Sequence, residues 1–210
     1  MTPTPVRLWI DPSCPWAWQA FSWLRDVRDQ GEIDLTYAFF SLEINAHALE
    51  RNDVDPGLPY ADAAPTWGTA LATLALARRE GGDDAVERLL VAIGAARHGR
   101  GEPLTPDVLD AAAAEAGLPG LPERGGGDPG LEREILAEYA AARAIDVFGV
   151  PTLQIDEDAV IYGPIIAVGP SGQDALALWH QVKGIADRDA FFELKRWPRY
   201  LRPGGAPVGA

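Results

Sequence analysis

Val6-Arg7-Leu8-Trp9-Ile10 is a short apolar-rich run stopped by Asp11-Pro12, and it predicts a first strand. The period then changes. Trp18, Phe21, Trp23, Leu24 and Val27 fall at helical spacing and predict a helix that ends near Gly31. Ser13 or Cys14 is placed to cap it, with Pro15 in the first turn, where a missing N–H breaks no bond. Ile33 to Phe40 returns to a strand pattern. A strand, a crossover helix and a second strand form a βαβ unit, expected to be parallel and right-handed.

The middle of the chain changes character. Residues 43–65, with Pro56, Pro59 and Pro65, read as loop. Helices are predicted over Trp67–Arg79, Asp84–Arg97, Pro106–Ala116 and Leu131–Phe148. The Gly- and Pro-rich stretch Leu118–Gly130 reads as a turn or loop. Val150-Pro151-Thr152-Leu153-Gln154-Ile155 then begins a strand, Asp156-Glu157-Asp158 a turn, and Ala159–Tyr162 a return strand. Gly163-Pro164 breaks it, Gln173–Val182 is a final helix, and the tail after Lys195 is rich in Pro and Gly. The order βαβ, helices, ββα predicts an α/β, thioredoxin-like fold with an inserted all-helical subdomain. One domain is expected over 1–210, with its core at about 6–42 and 149–186, the insertion at about 60–147 and a C-terminal tail at about 187–210.

Charge removes some functions. The formal net charge is -13, so a phosphate backbone is repelled and nucleic acid is discounted. No apolar run is long enough to span a bilayer, and no membrane partner is expected. Met1-Thr2-Pro3-Thr4-Pro5 has neither the charged nor the apolar part of a secretion signal, which predicts a cytoplasmic protein. His47, His98 and His180 are scattered, and none has metal-ligand spacing to another His or to Cys14, so no metal site is expected.

The chain has one cysteine, so no intrachain disulfide can form. Cys14 sits where the first strand gives way to a helix. A helix N-terminus favours negative charge, and the thiolate is the reactive form, so a lowered pKa is expected. A free cysteine is commonly a small buried hydrophobe. The strand-to-helix position before Pro15-Trp16 favours a reactive thiol instead. A dithiol redox motif would place a second Cys at position 17, where this chain has Ala17. Pro151 directly precedes a strand, where an ordinary trans proline is tolerated. The thioredoxin-like order favours a cis bond beside Cys14. Trp16, Trp18, Tyr60, Trp67 and Tyr162 could each line a pocket for a flat substrate; Trp18 reads as core and Trp16 as functional. His98 closes a helix, where the dipole favours it without any catalytic duty. An acid/base or pocket role for His98 is the lesser reading. Gly125-Gly126-Gly127 lacks the Lys and Ser/Thr of a phosphate loop and reads as a linker.

Several stretches together carry a resemblance: Trp9-Ile10-Asp11-Pro12-Ser13-Cys14-Pro15-Trp16, Ser41-Leu42, Ala64-Pro65-Thr66-Trp67-Gly68, Gly149-Val150-Pro151-Thr152, Tyr162-Gly163-Pro164 and Phe191-Phe192-Glu193-Leu194-Lys195-Arg196. The chain resembles the DsbA-like thioredoxin-fold proteins, and among them the actinobacterial mycothiol-dependent nitroreductase and disulfide oxidoreductase branch. The resemblance implies Cys14 as nucleophile and Pro151 as a cis-proline, with the backbone at Val150-Pro151 orienting the partner. It places Trp16, Asn45 and Tyr60 in the substrate pocket; His98 stays a pocket candidate from its own context alone. It implies mycothiol as reductant or co-substrate and no tightly bound cofactor. The expected partners are that small thiol and a small organic electrophile, with a homodimer left open. Ala17 departs from the dithiol members: the chain is either a natural monothiol protein or one whose second cysteine was replaced. Two other functions fit one thiol. One is an isomerase, in which Cys14 adds reversibly to a conjugated double bond. The other is a non-catalytic binding module.

Overall fold

The computed structural model describes residues 2–50, 67–156 and 158–193. Strand β1, Thr4–Ile10, buries Val6, Leu8, Trp9 and Ile10. Helix α1, Pro15–Asp29, starts from Cys14, whose backbone is extended and whose sulfur accepts the Ala17 N–H. Its buried stripe is Ala17, Ala20, Phe21, Trp23, Leu24 and Val27. Trp18 was expected in the core but is only half-buried, because it lies beside this stripe; its ring packs 5.5 Å from that of Phe21. Gly31, at φ +84°, turns the chain out of the helix, a conformation that suits glycine.

Strand β2, Ile33–Phe39, lies beside β1 and runs the same way. The Thr4 N–H meets Glu32 O near the start of both strands, and the Phe40 N–H meets Ile10 O near their ends. Strand β3, Thr152–Ile155, is antiparallel to β1, with Leu8 opposite Leu153 and Trp9 opposite Thr152. Strand β4, Ala159–Tyr162, is antiparallel to β3, with Thr152 opposite Tyr162. The sheet order is β2-β1-β3-β4. The last helix among the described residues, Gly172–Ala186, packs on α1: the Trp23 indole N–H donates to Ala175 O at 3.0 Å, and the Trp23 and Trp179 rings lie 6.4 Å apart. This is the order of elements expected of a thioredoxin-like fold.

The chain divides into two compact units. The first holds the described residues up to Trp9, Cys14–Ala38 and those from Val150 onward; the second holds Ile10–Ser13 and Phe39–Gly149. The second unit is helical: α2 Leu42–Glu50, α3 Trp67–Gly94, a π-helical turn Ala95–Gly99, α4 Pro106–Glu115, α5 Leu121–Gly125 and α6 Pro129–Ala144; the helix Gly172–Ala186 of the first unit is α7. Three expectations are corrected here. The loop expected from residue 43 begins as helix α2, because Ser41 caps it: its hydroxyl accepts the Ile44 N–H at 3.1 Å. The stretch Leu118–Gly130 contains the single turn α5, whose Leu121 and Pro122 are buried. Helix α6 stops at Ala144 rather than Phe148, because the Asp146 N–H turns back to Arg143 O and Asp146 takes φ +61°. Helix α3 is broken at Gly81 and Gly82, the latter at φ 63° and ψ -161°, so it reproduces the two separate helices read from sequence. Arg78 ties α3 to α6 through Glu134 at 2.9 Å and Glu138 at 2.8 Å, and its guanidinium lies 4.4 Å from the Phe39 ring centre. These two carboxylates hold the Arg78 pKa above its ordinary value against the opposing effect of burial.

Candidate active site

Cys14 is the N-cap residue of α1, with 2% of its surface exposed. Its position follows from the local sequence. Asp11-Pro12 ends β1, Pro15 fixes the first helical residue, and the intervening turn leaves the side chain at the open end of the helix. The Ala17 N–H, which has no partner inside the helix, points to Cys14 Sγ at 3.5 Å. On its other side Cys14 Sγ lies 3.7 Å from Val150 O, a contact in which a thiol S–H donates. The Val150-Pro151 peptide bond is cis, as is Gly163-Pro164. The Pro151 carbonyl accepts the Gly163 N–H at 2.8 Å.

Cys14, Val150 and Pro151 are thus brought together in the first unit. Trp16 follows on α1 and is half-buried. Tyr60 lies outside the described residues. Asn45 and His98 belong to the second unit. The Asn45 side-chain amide donates to Phe148 O at 3.2 Å, and its oxygen accepts the Tyr139 hydroxyl at 3.0 Å. His98 lies in the π-helical turn, and its Nε2 meets Pro12 O at 2.9 Å; with a carbonyl as partner, the ring nitrogen is the donor. Burial pushes the His98 pKa down; the Pro12 contact opposes this, and the Arg97 charge adds to it.

Two residues gain importance that the sequence did not give them. Asp11, read only as a strand terminator, is a buried carboxylate with 3% exposure. It accepts from the Ser13 N–H at 2.8 Å, the Ser13 hydroxyl at 2.6 Å and the Leu42 N–H at 2.9 Å. Burial raises its pKa, and these three donors act in the opposite direction. Asp11 therefore fixes Ser13, the residue that precedes Cys14 in the chain. The signal was available: an Asp two residues before a Ser at a helix start is a side-chain-to-backbone turn pattern. Tyr162, weighed only as one of several aromatics, has its pKa raised, first by burial and then by negative charge at Cys14. Its place depends on the β3–β4 register, which residue pattern alone does not supply. Among the described residues no three His, Cys, Asp or Glu side chains form a set that could hold a metal ion, and no helix is long and apolar enough to cross a membrane.

Comparison with known proteins adds to this geometry. Residues 13–196 match the family described as Rv2466c-like, mycothiol-dependent nitroreductase Rv2466c. The uncharacterized protein Rv2286c of Mycobacterium tuberculosis is 31% identical over 196 residues, which cover 92% of this chain and 82% of that protein. Among solved structures, the cytosolic disulfide reductase DsbM of Pseudomonas aeruginosa superposes with TM-score 0.59 at 19% identity, over 85% of this chain and 98% of that one. A 2-hydroxychromene-2-carboxylate isomerase superposes with TM-score 0.61 at 16% identity, over 86% of this chain and 94% of that one. At these identities the two structures speak for a shared fold.

Proposed function

Because the chain belongs to the Rv2466c-like family of mycothiol-dependent nitroreductases, we propose that it is a thiol-dependent oxidoreductase that works through one cysteine and an external small thiol. The observation that carries this reading is the placing of Cys14 Sγ at the N-terminus of α1, with the Ala17 N–H on one side and Val150 O on the other. A thiolate there gains a charge-assisted hydrogen bond and the positive end of the helix dipole. Cys14 thiolate attacks one sulfur of a disulfide and bonds to it, and the other sulfur leaves with the bonding pair as thiolate. A small thiolate then attacks the mixed disulfide and releases Cys14. With Ala17 in place of a second cysteine, this resolving thiol comes from outside, and the family points to mycothiol. With a nitro compound as oxidant, two mycothiols would supply two electrons and two protons, giving the nitroso compound, water and mycothiol disulfide.

Trp16 and Tyr60 are proposed to contact the organic substrate, with Val150 and Pro151 presenting backbone to it. Asn45 and His98 of the second unit are further proposed substrate-binding residues. A cytoplasmic setting, where small thiols are kept reduced, suits this chemistry.

The test is intact-mass analysis after mixing with mycothiol disulfide. Wild type is expected to gain one mycothiol moiety and lose it on adding mycothiol. Cys14→Ser should gain none and lose turnover by at least about a hundredfold. An unmodified wild type, or a fully active Cys14→Ser, overturns the assignment. Ala17 supports a second reading, since reversible addition of Cys14 to a conjugated double bond needs one thiol and no reductant. An alkylatable Cys14 that forms no mixed disulfide yet isomerises a conjugated acid would select that reading.

A further inference from the structure

Strands β1 and β2 stay bonded as far as the Phe40 N–H and Ile10 O, 3.2 Å apart. The next link is made by a side chain. Buried Asp11 takes the Leu42 N–H on Oδ2 at 2.9 Å, and on Oδ1 both the N–H and the hydroxyl of Ser13, at 2.8 Å and 2.6 Å. Pro12, between them, has its carbonyl bonded to His98 Nε2 at 2.9 Å. Each residue of the turn Asp11–Ser13 is therefore tied before the chain enters Cys14. One carboxylate oxygen holds Ser13 by backbone and side chain together, which limits rotation of the peptide that leads into Cys14. That matters because Cys14 caps α1 twice. Its carbonyl accepts the Trp18 N–H at 3.1 Å, and its sulfur accepts the Ala17 N–H at 3.5 Å. The sulfur reaches that N–H from an extended backbone, φ -82° and ψ 113°.

We propose that Asp11 is a positioning residue for the nucleophile: its carboxylate holds the turn that keeps Cys14 Sγ on the Ala17 N–H. This rests on Cys14 being the reactive thiol. Asp11 acts through Ser13 and touches no reacting atom. The role suits an ionised carboxylate, because the three groups bonded to it are donors and two of them are backbone N–H groups that cannot accept. An amide of the same shape has one acceptor oxygen and must set its NH2 against one of those donors. Asp11 can influence Cys14 in two ways, and they have opposite signs. As a negative charge alone it disfavours a thiolate, so neutralising it makes the thiolate easier to form. As an anchor it keeps the cap in place, so loosening it makes the thiolate harder to form.

The test is the pH profile of Cys14 alkylation by iodoacetamide in wild type and Asp11→Asn. The wild-type midpoint is expected below about 8.5, the ordinary thiol value. In Asp11→Asn it should move up by about one pH unit, so that alkylation well below the midpoint slows about tenfold while the plateau at high pH changes little. An Asp11 that served folding alone would lower the urea midpoint of unfolding and leave this profile in place. An unchanged or lowered alkylation midpoint overturns the proposal. Ser13→Ala keeps the carboxylate and both backbone bonds and removes the hydroxyl. If Asp11→Asn does not fold, Ser13→Ala decides in its stead: a midpoint moved upward supports the proposal, and an unmoved one overturns it. A wild-type midpoint at the ordinary thiol value overturns the nucleophile reading instead, so the two failures are distinguishable.

Discussion

His98 donates to the Pro12 carbonyl, and burial holds its imidazole pKa below the usual 6.5. A lowered pKa means that the folded state binds the proton less tightly than the unfolded chain. The stabilising contribution is therefore complete above pH 6.5 and is lost as pH falls through the folded value. Urea denaturation at steps from about pH 7.5 to about pH 5 should show a loss of stability across that window that is smaller in His98→Gln. An identical loss in both proteins would assign it to other groups. Single residues also show where sequence reading was strong. Cys14 as cap is set by near neighbours, a strand before it and a proline after it; Pro151 as a cis-proline is legible only from the order of elements, because its neighbours suit a trans bond equally. Asp11 was harder to read, because its third donor, the Leu42 N–H, arrives from 31 residues away. Tyr162 needed the pairing of two strands.

At the scale of elements, the break in α3 shows how glycine places a bend. Gly82 takes φ 63° and ψ -161°, a region that side-chain-bearing residues almost never occupy. A Cβ there meets nothing within 4 Å, so the cost of substitution is conformational rather than steric. Gly82→Ala should therefore lower stability by about 1–3 kcal/mol in chemical denaturation, with Cys14 alkylation unchanged. No loss of stability would mean that the bend tolerates a side chain. The pair Gly81-Gly82 was legible as a helix break because it interrupts an otherwise unbroken helical pattern. Helices α2 and α5 were hidden for the opposite reason. Prolines and glycines near them suggested loop, while a serine cap and buried Leu121 and Pro122 supply the order that composition does not reveal.

For the whole molecule, a formal charge of -13 sets the approach of charged reagents. Raising salt from about 0.01 M to about 0.15 M shortens the screening length from about 30 Å to about 8 Å. The rate of Cys14 alkylation by iodoacetate, relative to uncharged iodoacetamide, should rise severalfold over that range. A falling ratio would reveal a local positive field at Cys14 strong enough to override the global charge. The overall α/β order was readable because strand and helix periods alternate clearly. The sheet order β2-β1-β3-β4 was less so, since β1 and β3 pair across more than 140 residues of intervening chain, Trp9 meeting Thr152.

The sulfur of Cys14 is also the cap of α1, and that double use has a thermodynamic consequence. A negatively charged sulfur is the best acceptor for the Ala17 N–H, and a sulfur tied into a disulfide or thioether is a poor one. Every covalent adduct at Cys14 therefore weakens the first turn of the helix that carries it. Under the proposed mechanism, folding and turnover then pull in the same direction. With Cys14 as a thiolate, the free protein would be the better-capped helix, and the fold itself would drive an adduct onward instead of storing it.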